Sequence, residues 1–250
     1  LAPVVAALVS TVGIWSMHRL TRPVSTETRD RGFRMGQIGT ASLMSLAHGT
    51  NDAQKTMGVI FLALVAHGSI TADTEMPFWV KVACAVAIAL GTYLGGWRII
   101  RTLGKGLVEI APPQGLAAES SSAAIILTSS HFGLPLSTTH VATGSILGTG
   151  LGTKGAEVRW SVARRMVVAW VITLPCAAFV GAMCWTLAHV IGGMPGVLVV
   201  FGILCALALF MYFRSRQQPV DASNVTADWE DGSLAPAGSS SDALAPEARP

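Results

Sequence analysis

Ala47-His48-Gly49-Thr50-Asn51-Asp52-Ala53-Gln54-Lys55 lies inside an apolar run that extends from Met35 to Ile70. Ionisable groups are costly on a lipid-facing helix, so an Asp and a Lys at this depth mark a functional site. Their spacing places Asp52 and Lys55 on one helical face, where they can neutralise each other or share a third ion. Gly49 weakens a helix locally and admits close approach of another backbone or a ligand. The stretch predicts a crossing helix broken near mid-membrane, with Asn51, Asp52, Gln54 and Lys55 at the break. Transport sites have that pattern.

The rest of the chain agrees with a membrane setting. Its 250 residues are 51% hydrophobic and 12% charged, with a mean hydropathy of +0.54. That is too apolar and too sparsely charged for an ordinary soluble domain, and it predicts an all-α polytopic membrane protein. The net charge of +3 is small and the basic residues cluster at span ends, which argues against nucleic-acid binding. Cys84, Cys176, Cys184 and Cys205 lie in apolar segments without CxxC spacing, so they read as small core hydrophobes, not as a disulfide framework or a zinc site. No cofactor is expected. Leu1 already stands in an uncharged run, with neither an initiator Met nor a basic signal-peptide region, which reads as a chain lacking its N-terminal part.

Charge then sets the topology. Residues 1–17 read as the end of a transmembrane helix. Residues 18–34 carry Arg19, Arg22, Arg29, Arg31 and Arg34 against Glu27 and Asp30, and predict a cytoplasmic basic loop. Residues 35–70 form the broken crossing helix, longer than the roughly 20 residues a straight span needs, and lead to an outer loop with Asp73 and Glu75. Phe78 to Trp97 crosses back to Arg98, Arg101 and Lys105, with Lys81 able to snorkel. Residues 115–152 are rich in Gly, Ala, Ser and Thr and are interrupted at Gly133-Leu134-Pro135. Basic residues flank both ends, so a re-entrant helical hairpin is predicted, with a pair of short full spans as the alternative of equal charge parity. Met166 to Ile191 and Val197 to Phe213 complete about five transmembrane helices. Residues 35–213 read as one membrane-embedded domain, and residues 214–250, rich in Ser, Ala, Pro and acids, read as a disordered cytoplasmic tail.

A second constellation follows the hairpin's interruption: Pro135-Leu136-Ser137-Thr138-Thr139-His140, leading into the small-residue helix Val141 to Gly150. Pro followed by Ser and two Thr is a helix start, and plain capping would account for Ser137 and Thr138. Inside a membrane the same hydroxyls and unpaired N–H groups also form an anion cradle suited to phosphate or sulfate. An Asp near an anion site calls for a cation, because two negative charges at close range repel by several kcal/mol at an effective dielectric of about 20. Asp52 therefore reads as the residue for the coupling ion, either sodium or a proton. Glu119, ahead of Ser120-Ser121-Ser122, is a second candidate, with a first-turn acid favoured by the helix dipole as its structural alternative. If Lys55 occupies the space beside Asp52, sodium there meets like-charge repulsion and proton coupling is favoured.

These residues resemble the inorganic phosphate transporter (PiT) family, specifically its C-terminal half and its bacterial low-affinity type. The resemblance rests on His48-Gly49-Thr50-Asn51-Asp52 and on Pro135-Leu136-Ser137-Thr138-Thr139-His140, in the family's order, and runs from about Gly36 to Phe213. It implies one half of an inverted-repeat transporter in the cell membrane, multi-pass, with the N-terminal half of the same transporter as partner. It also implies a mid-membrane site and cation-coupled uptake of inorganic phosphate. Carried over, Asn51, Ser137, Thr138 and Thr139 would bind phosphate with Lys55 beside them, and Asp52 would handle the coupling ion. Gln54-Lys55 stands where sodium-coupled members typically have Asn-Ala, and is similar to the proton-coupled branch that accepts metal-phosphate complexes.

His48, His131 and His140 border the motifs and could relay protons or serve as hydrogen-bonded structural groups. Ser137, His140 and Asp52 invite a hydrolase triad, but Ser137 lacks the Gly-x-Ser-x-Gly elbow and nothing supplies an oxyanion hole. An enzyme is not expected. A purely structural membrane subunit is the other alternative class.

Overall fold

The computed structural model describes residues 1–216, 220, 229–230 and 233–234. The described chain is helical apart from one minimal antiparallel pair, Trp229–Glu230 with Ser233–Leu234. Apart from that pair and Val220, the tail expected to be disordered lies outside the described residues. The helices are α1 (Ala2–Leu20), α2 (Thr26–Ala66), α3 (Phe78–Gly95), a short α4 (Trp97–Arg101) running into a π-helical turn (Thr102–Gly106), α5 (Pro112–His131), α6 (Thr138–Gly152), α7 (Trp160–Ile191) and α8 (Gly193–Ser215). Residues 1–158 with the short strand pair form one compact unit, and the described residues from Arg159 to Val220 form a second.

Two expectations are corrected at α2. The helix is continuous through Gly49 and Asp52, where a break is expected from the sequence. A single Gly costs only about 1 kcal/mol relative to Ala in a helix. Thr50 absorbs its own polarity by donating from Oγ1 back to the carbonyls of Leu46 (2.8 Å) and Ala47 (3.1 Å), so nothing drives the backbone open. The basic loop is also shorter than expected, because α1 runs to Leu20 and α2 starts at Thr26. Ser25 takes the N-cap position and Glu27 in the first turn suits the helix dipole, so Arg29, Arg31 and Arg34 ride on helix. At 41 residues, α2 is about 60 Å long, roughly twice the thickness of a hydrocarbon core.

The hairpin of α5 and α6 interrupts where the sequence places it. Gly133 adopts a left-handed φ of 67°, which ends α5, and Pro135 cannot continue a helix. The carbonyl of Leu134 at this corner accepts from Ser129 Oγ at 2.5 Å. At the hairpin's base, Val108 and Val158 form an antiparallel bridge, so the segment leaves and returns to one place.

Glycines at every fourth position of α6 decide how it packs. A Cβ on Gly144 would collide with Pro3 backbone, one on Gly148 with Ala7 backbone, and one on Gly152 with Ile14 and Thr11. Spacing of this kind lets two helix backbones touch. Thr11 Oγ1 uses that closeness to donate to Gly148 O at 2.8 Å. Around this seam Ala6, Ala47, Ala123, Ile126 and Val141 join α1, α2, α5 and α6 into one core. A smaller cluster of Ala53, Val80 and Cys84 joins α2 to α3.

Among the described residues three helices, α3, α7 and α8, are long and apolar enough to cross a membrane, and α2, expected as a crossing helix, is not one of them. None of the most apolar window of α7 is buried, so its hydrophobic surface is made for lipid or for another protein and not for a core of its own. Cysteines follow this division: Cys84 is a core hydrophobe as expected, whereas Cys176 and Cys205 are exposed on apolar helix surfaces, a correction to the reading of all four as core.

The packing generates a direct check. Gly148→Val should lower the stability of the purified protein in detergent by about 1–3 kcal/mol or prevent assembly, because overpacked backbone contacts cannot relax. Gly39→Ala, where an added Cβ meets nothing within 4 Å, should be neutral or slightly stabilising. Equal melting temperatures for the two variants would remove the close α1–α6 contact.

Candidate functional site

The middle of α2 and the corner between α5 and α6 meet at one carboxylate. Asp52 accepts from Lys55 Nζ at 3.0 Å and Asn51 Nδ2 at 3.1 Å on Oδ1. Its Oδ2 lies 3.0 Å from His48 Nε2 and accepts from Thr138 Oγ1 at 3.2 Å. His48, Asp52 and Lys55 can converge because positions i−4 and i+3 share a face of an uninterrupted helix. The sequence leaves Asp52 and Lys55 either neutralising each other or sharing a third ion, and in the structure the two groups pair directly at 3.0 Å.

The second anchor is a backbone atom. Between α5 and α6 the chain is extended, so Leu136 O has no helical donor, and it accepts from Asn51 Nδ2 at 3.0 Å and from Lys55 Nζ. Asn51 is nearly fully buried at 3% exposure, and its carbonyl oxygen lies 3.4 Å from the Ser130 hydroxyl, which donates to it. Its amide is thus used on both sides, as burial of a polar group demands.

The hairpin motif divides into three roles. Thr138 is 5% exposed and points at Asp52. Ser137 is the N-cap of α6, its Oγ accepting from the His140 N–H at 3.4 Å. Thr139 is exposed. Together they stand at the start of α6, where the helix carries its partial positive charge and the His140 N–H is taken by Ser137 Oγ.

Glu119 is not part of this cluster. Its Oε2 accepts from Thr40 Oγ1 at 2.8 Å, which ties α5 to α2 about 18 Å along α2 from Asp52. Nearby, Gly115 has no Cβ because the Gln37 amide fills that space. On its other side Asp52 lines a cleft of about 450 Å³ between α2 and α3, shared with Thr56 and otherwise bordered by apolar residues such as Cys84 and Ala87. Among the described residues no group of three or more His, Cys, Asp or Glu is placed to hold a metal ion.

Leu136, Ser130 and Thr40 escape sequence reasoning. Leu136 acts through its carbonyl, to which residue identity is blind, and the two hydroxyls sit in segments already crowded with Ser and Thr. His48, read from the sequence as bordering the motif, has the spacing of four that pairs it with Asp52.

A helical protein with membrane-crossing helices, and a paired charge cluster where an internal helix meets a helical hairpin, is of the membrane-transporter class. The chain belongs to the phosphate transporter family, whose model matches residues 1–181. It is 63% identical over 230 residues to a protein of Mycobacterium bovis described as a probable low-affinity inorganic phosphate transporter, covering 92% of this chain and 55% of that one. A protein of Bacillus subtilis with the same description is 40% identical over 191 residues, 76% of this chain and 57% of that relative. The chain therefore spans about half the length of these relatives. A solved structure, described as the sodium-dependent phosphate transporter, has the same fold over 70% of this chain and 53% of its own, with a TM-score of 0.53 and 23% identity. The family and these relatives are transporters and not enzymes.

The division of roles predicts unequal costs. Thr138→Val removes only the hydroxyl that donates to Asp52 and should destabilise the protein by about 1–2 kcal/mol. Thr139→Val, one position on and exposed, should stay within about 0.5 kcal/mol. Chemical denaturation of the purified variants in detergent checks both, and equal stabilities would contradict the Thr138–Asp52 contact.

Proposed function

We propose that this chain is one half of a cation-coupled permease for inorganic phosphate in the cell membrane, working by proton symport of phosphate or of a metal-phosphate complex. The observation that carries this reading is that Asn51 and Lys55 of α2 both reach Leu136 O, at the start of α6. An amide, an ammonium, the hydroxyls of Ser137, Thr138 and Thr139 and the first turn of α6 then border one place. Such a set suits a tetrahedral anion, which takes several donors and partial positive charge. The names of the Mycobacterium and Bacillus relatives favour phosphate over sulfate.

Asp52 supplies the coupling. Unprotonated, it holds Lys55 by an ion pair. A proton on Asp52 removes that counter-charge and releases the ammonium to the anion, and loss of the proton returns Lys55 to Asp52. Proton uptake and phosphate binding thereby favour each other. Glu119, held by Thr40, is a second proton-handling group further along the same helix pair.

The architecture proposed around the site has about five spans, with α5 and α6 re-entering from the cytoplasm and the tail cytoplasmic. The bridge of Val108 to Val158 supports a segment whose ends lie together. The preceding half of the transporter, related by an inverted repeat, would close the site. Sodium coupling is the second reading, favoured by the sodium dependence in the name of the structural neighbour.

Liposomes carrying the intact transporter test these readings. An inward proton gradient should drive accumulation of labelled phosphate, and a sodium gradient at constant pH should not; the reverse result would establish the sodium reading. Asp52→Asn should abolish pH-driven accumulation, since a permanently neutral side chain cannot release Lys55 in response to a proton, and unchanged accumulation per folded molecule would refute the role of Asp52. In a background without the native cysteines, Lys105→Cys and Lys154→Cys should both be labelled only from the cytoplasm, and outside labelling of the second would overturn the re-entrant hairpin.

A further inference from the structure

We propose that the junction of α1 and α2 binds the headgroup of an anionic phospholipid, held by Arg19, Arg22, Arg31 and Arg34. The proposal rests on the membrane setting of the family and is independent of the substrate and the coupling ion.

Residues 18–34 carry five arginines against Glu27 and Asp30, a net of three positive charges. Arg29 is half-buried and its Nε lies 3.8 Å from Asp30. The other four are exposed and, among the described residues, form no ion pair. Arg31 and Arg34 stand at i and i+3 of α2, where like charges destabilise a helix unless an anion joins them. No lysine occurs in the stretch. An orientation signal needs only positive charge, which Lys supplies equally well, whereas Arg adds a planar fork that grips phosphate oxygens in pairs.

Helix pairing sets these arginines at nearly one depth. α5 runs beside α2 in the same direction, with the Gln37 amide in the space at Gly115, Thr40 on Glu119 and Asn51 on Ser130. α1 runs against α5, with Gly13 beside Ser121 and Ala6 in one cluster with Ala123 and Ile126. At the helical rise, Arg34 then stands level with Pro112 at the start of α5, Arg19 lies about 5 Å to the inner side and Arg31 about 5 Å further out. That spread is close to the roughly 5–8 Å of one headgroup layer. Trp15 marks its inner edge: the ring is exposed and the Arg19 guanidinium lies over it, 5.5 Å from the centroid. An interfacial aromatic beneath a snorkelling cation has this form. Leu20 and Val24 are exposed between the arginines in sequence. A phospholipid matches both kinds of side chain, its phosphate meeting the arginines and its chains the leucine and valine, whereas a nucleic acid would leave the apolar surface bare.

Thermal unfolding of the purified intact transporter in an uncharged detergent tests the site, with added phosphatidylglycerol, phosphatidylcholine, inorganic phosphate or a poly-glutamate peptide. Phosphatidylglycerol should raise the melting temperature by about 5 °C, and phosphatidylcholine should not. Arg31→Gln with Arg34→Gln, and separately Arg19→Gln with Arg22→Gln, should lose most of that rise. Arg29→Gln, which removes the same kind of charge from the paired position, should keep it. The two double variants lie on separate segments, so if one fails to fold the other decides. An equal rise with phosphatidylcholine, or a phosphatidylglycerol rise that persists in the double variants or is lost equally in Arg29→Gln, would overturn the proposal. A rise with inorganic phosphate that the double variants abolish would show a free-anion site, and a larger rise with poly-glutamate through the same arginines would show an acidic protein partner; either also overturns it. Absence of phosphate transport with the lipid response intact would count against the functional reading alone.

Discussion

A partly buried carboxylate at the junction of two helical segments needs a counter-charge and a full set of donors, and the first unit is arranged around meeting that requirement at Asp52. Two donors come from its own helix at i−4 and i+3, one from the neighbouring Asn51, and one from Thr138 on another segment. This explains why α2 does not break at Gly49. An unwound turn there would carry His48 off the face that Asp52 and Lys55 share, and would expose backbone groups that nothing nearby is placed to satisfy. Continuity of α2 is the condition for neutralising its own charge.

The same requirement fixes the hairpin. Leu136 O and the Thr138 hydroxyl reach α2 only if the α5–α6 corner is held within a fraction of an ångström, and the loop residues cannot do that alone. The rigidity comes from behind, where Gly144, Gly148 and Gly152 let α6 lie directly on the backbone of α1. Larger side chains would hold the helices further apart and displace the corner. Site geometry is thus set in part by the absence of side chains further along the helix that carries the motif.

Much of this is legible in the chain. The interruption at Gly133-Leu134-Pro135 and the paired charges of Asp52 and Lys55 follow from residue chemistry and spacing, whereas the meeting of the two distant polar motifs is what the family resemblance implies. A break at Gly49 is the wrong reading because it weighs the propensity of one glycine without the ion pairs that need a regular helix. The helical start at Thr26 is hidden beneath its arginines, which signal orientation but not backbone state. The glycine face of α6 shows in the sequence only as a small-residue run, since the partner on α1 is more than a hundred residues away. Leu136 cannot be found at all from its side chain.

Charge counting connects the geometry to the proposed transport. With Asp52 ionised and Lys55 an ammonium, the pair is neutral before any substrate arrives. A phosphate monoanion entering alone would leave the cluster one charge negative in surroundings of low dielectric, where a net charge is strongly disfavoured. A single proton on Asp52 restores neutrality and at the same moment frees the ammonium to face the anion. A neutral complex of a divalent metal with hydrogen phosphate, by contrast, adds no net charge, so it would enter without that proton. In the proposed permease one ion pair would therefore accommodate both kinds of substrate, and the proton stoichiometry of uptake would differ between them.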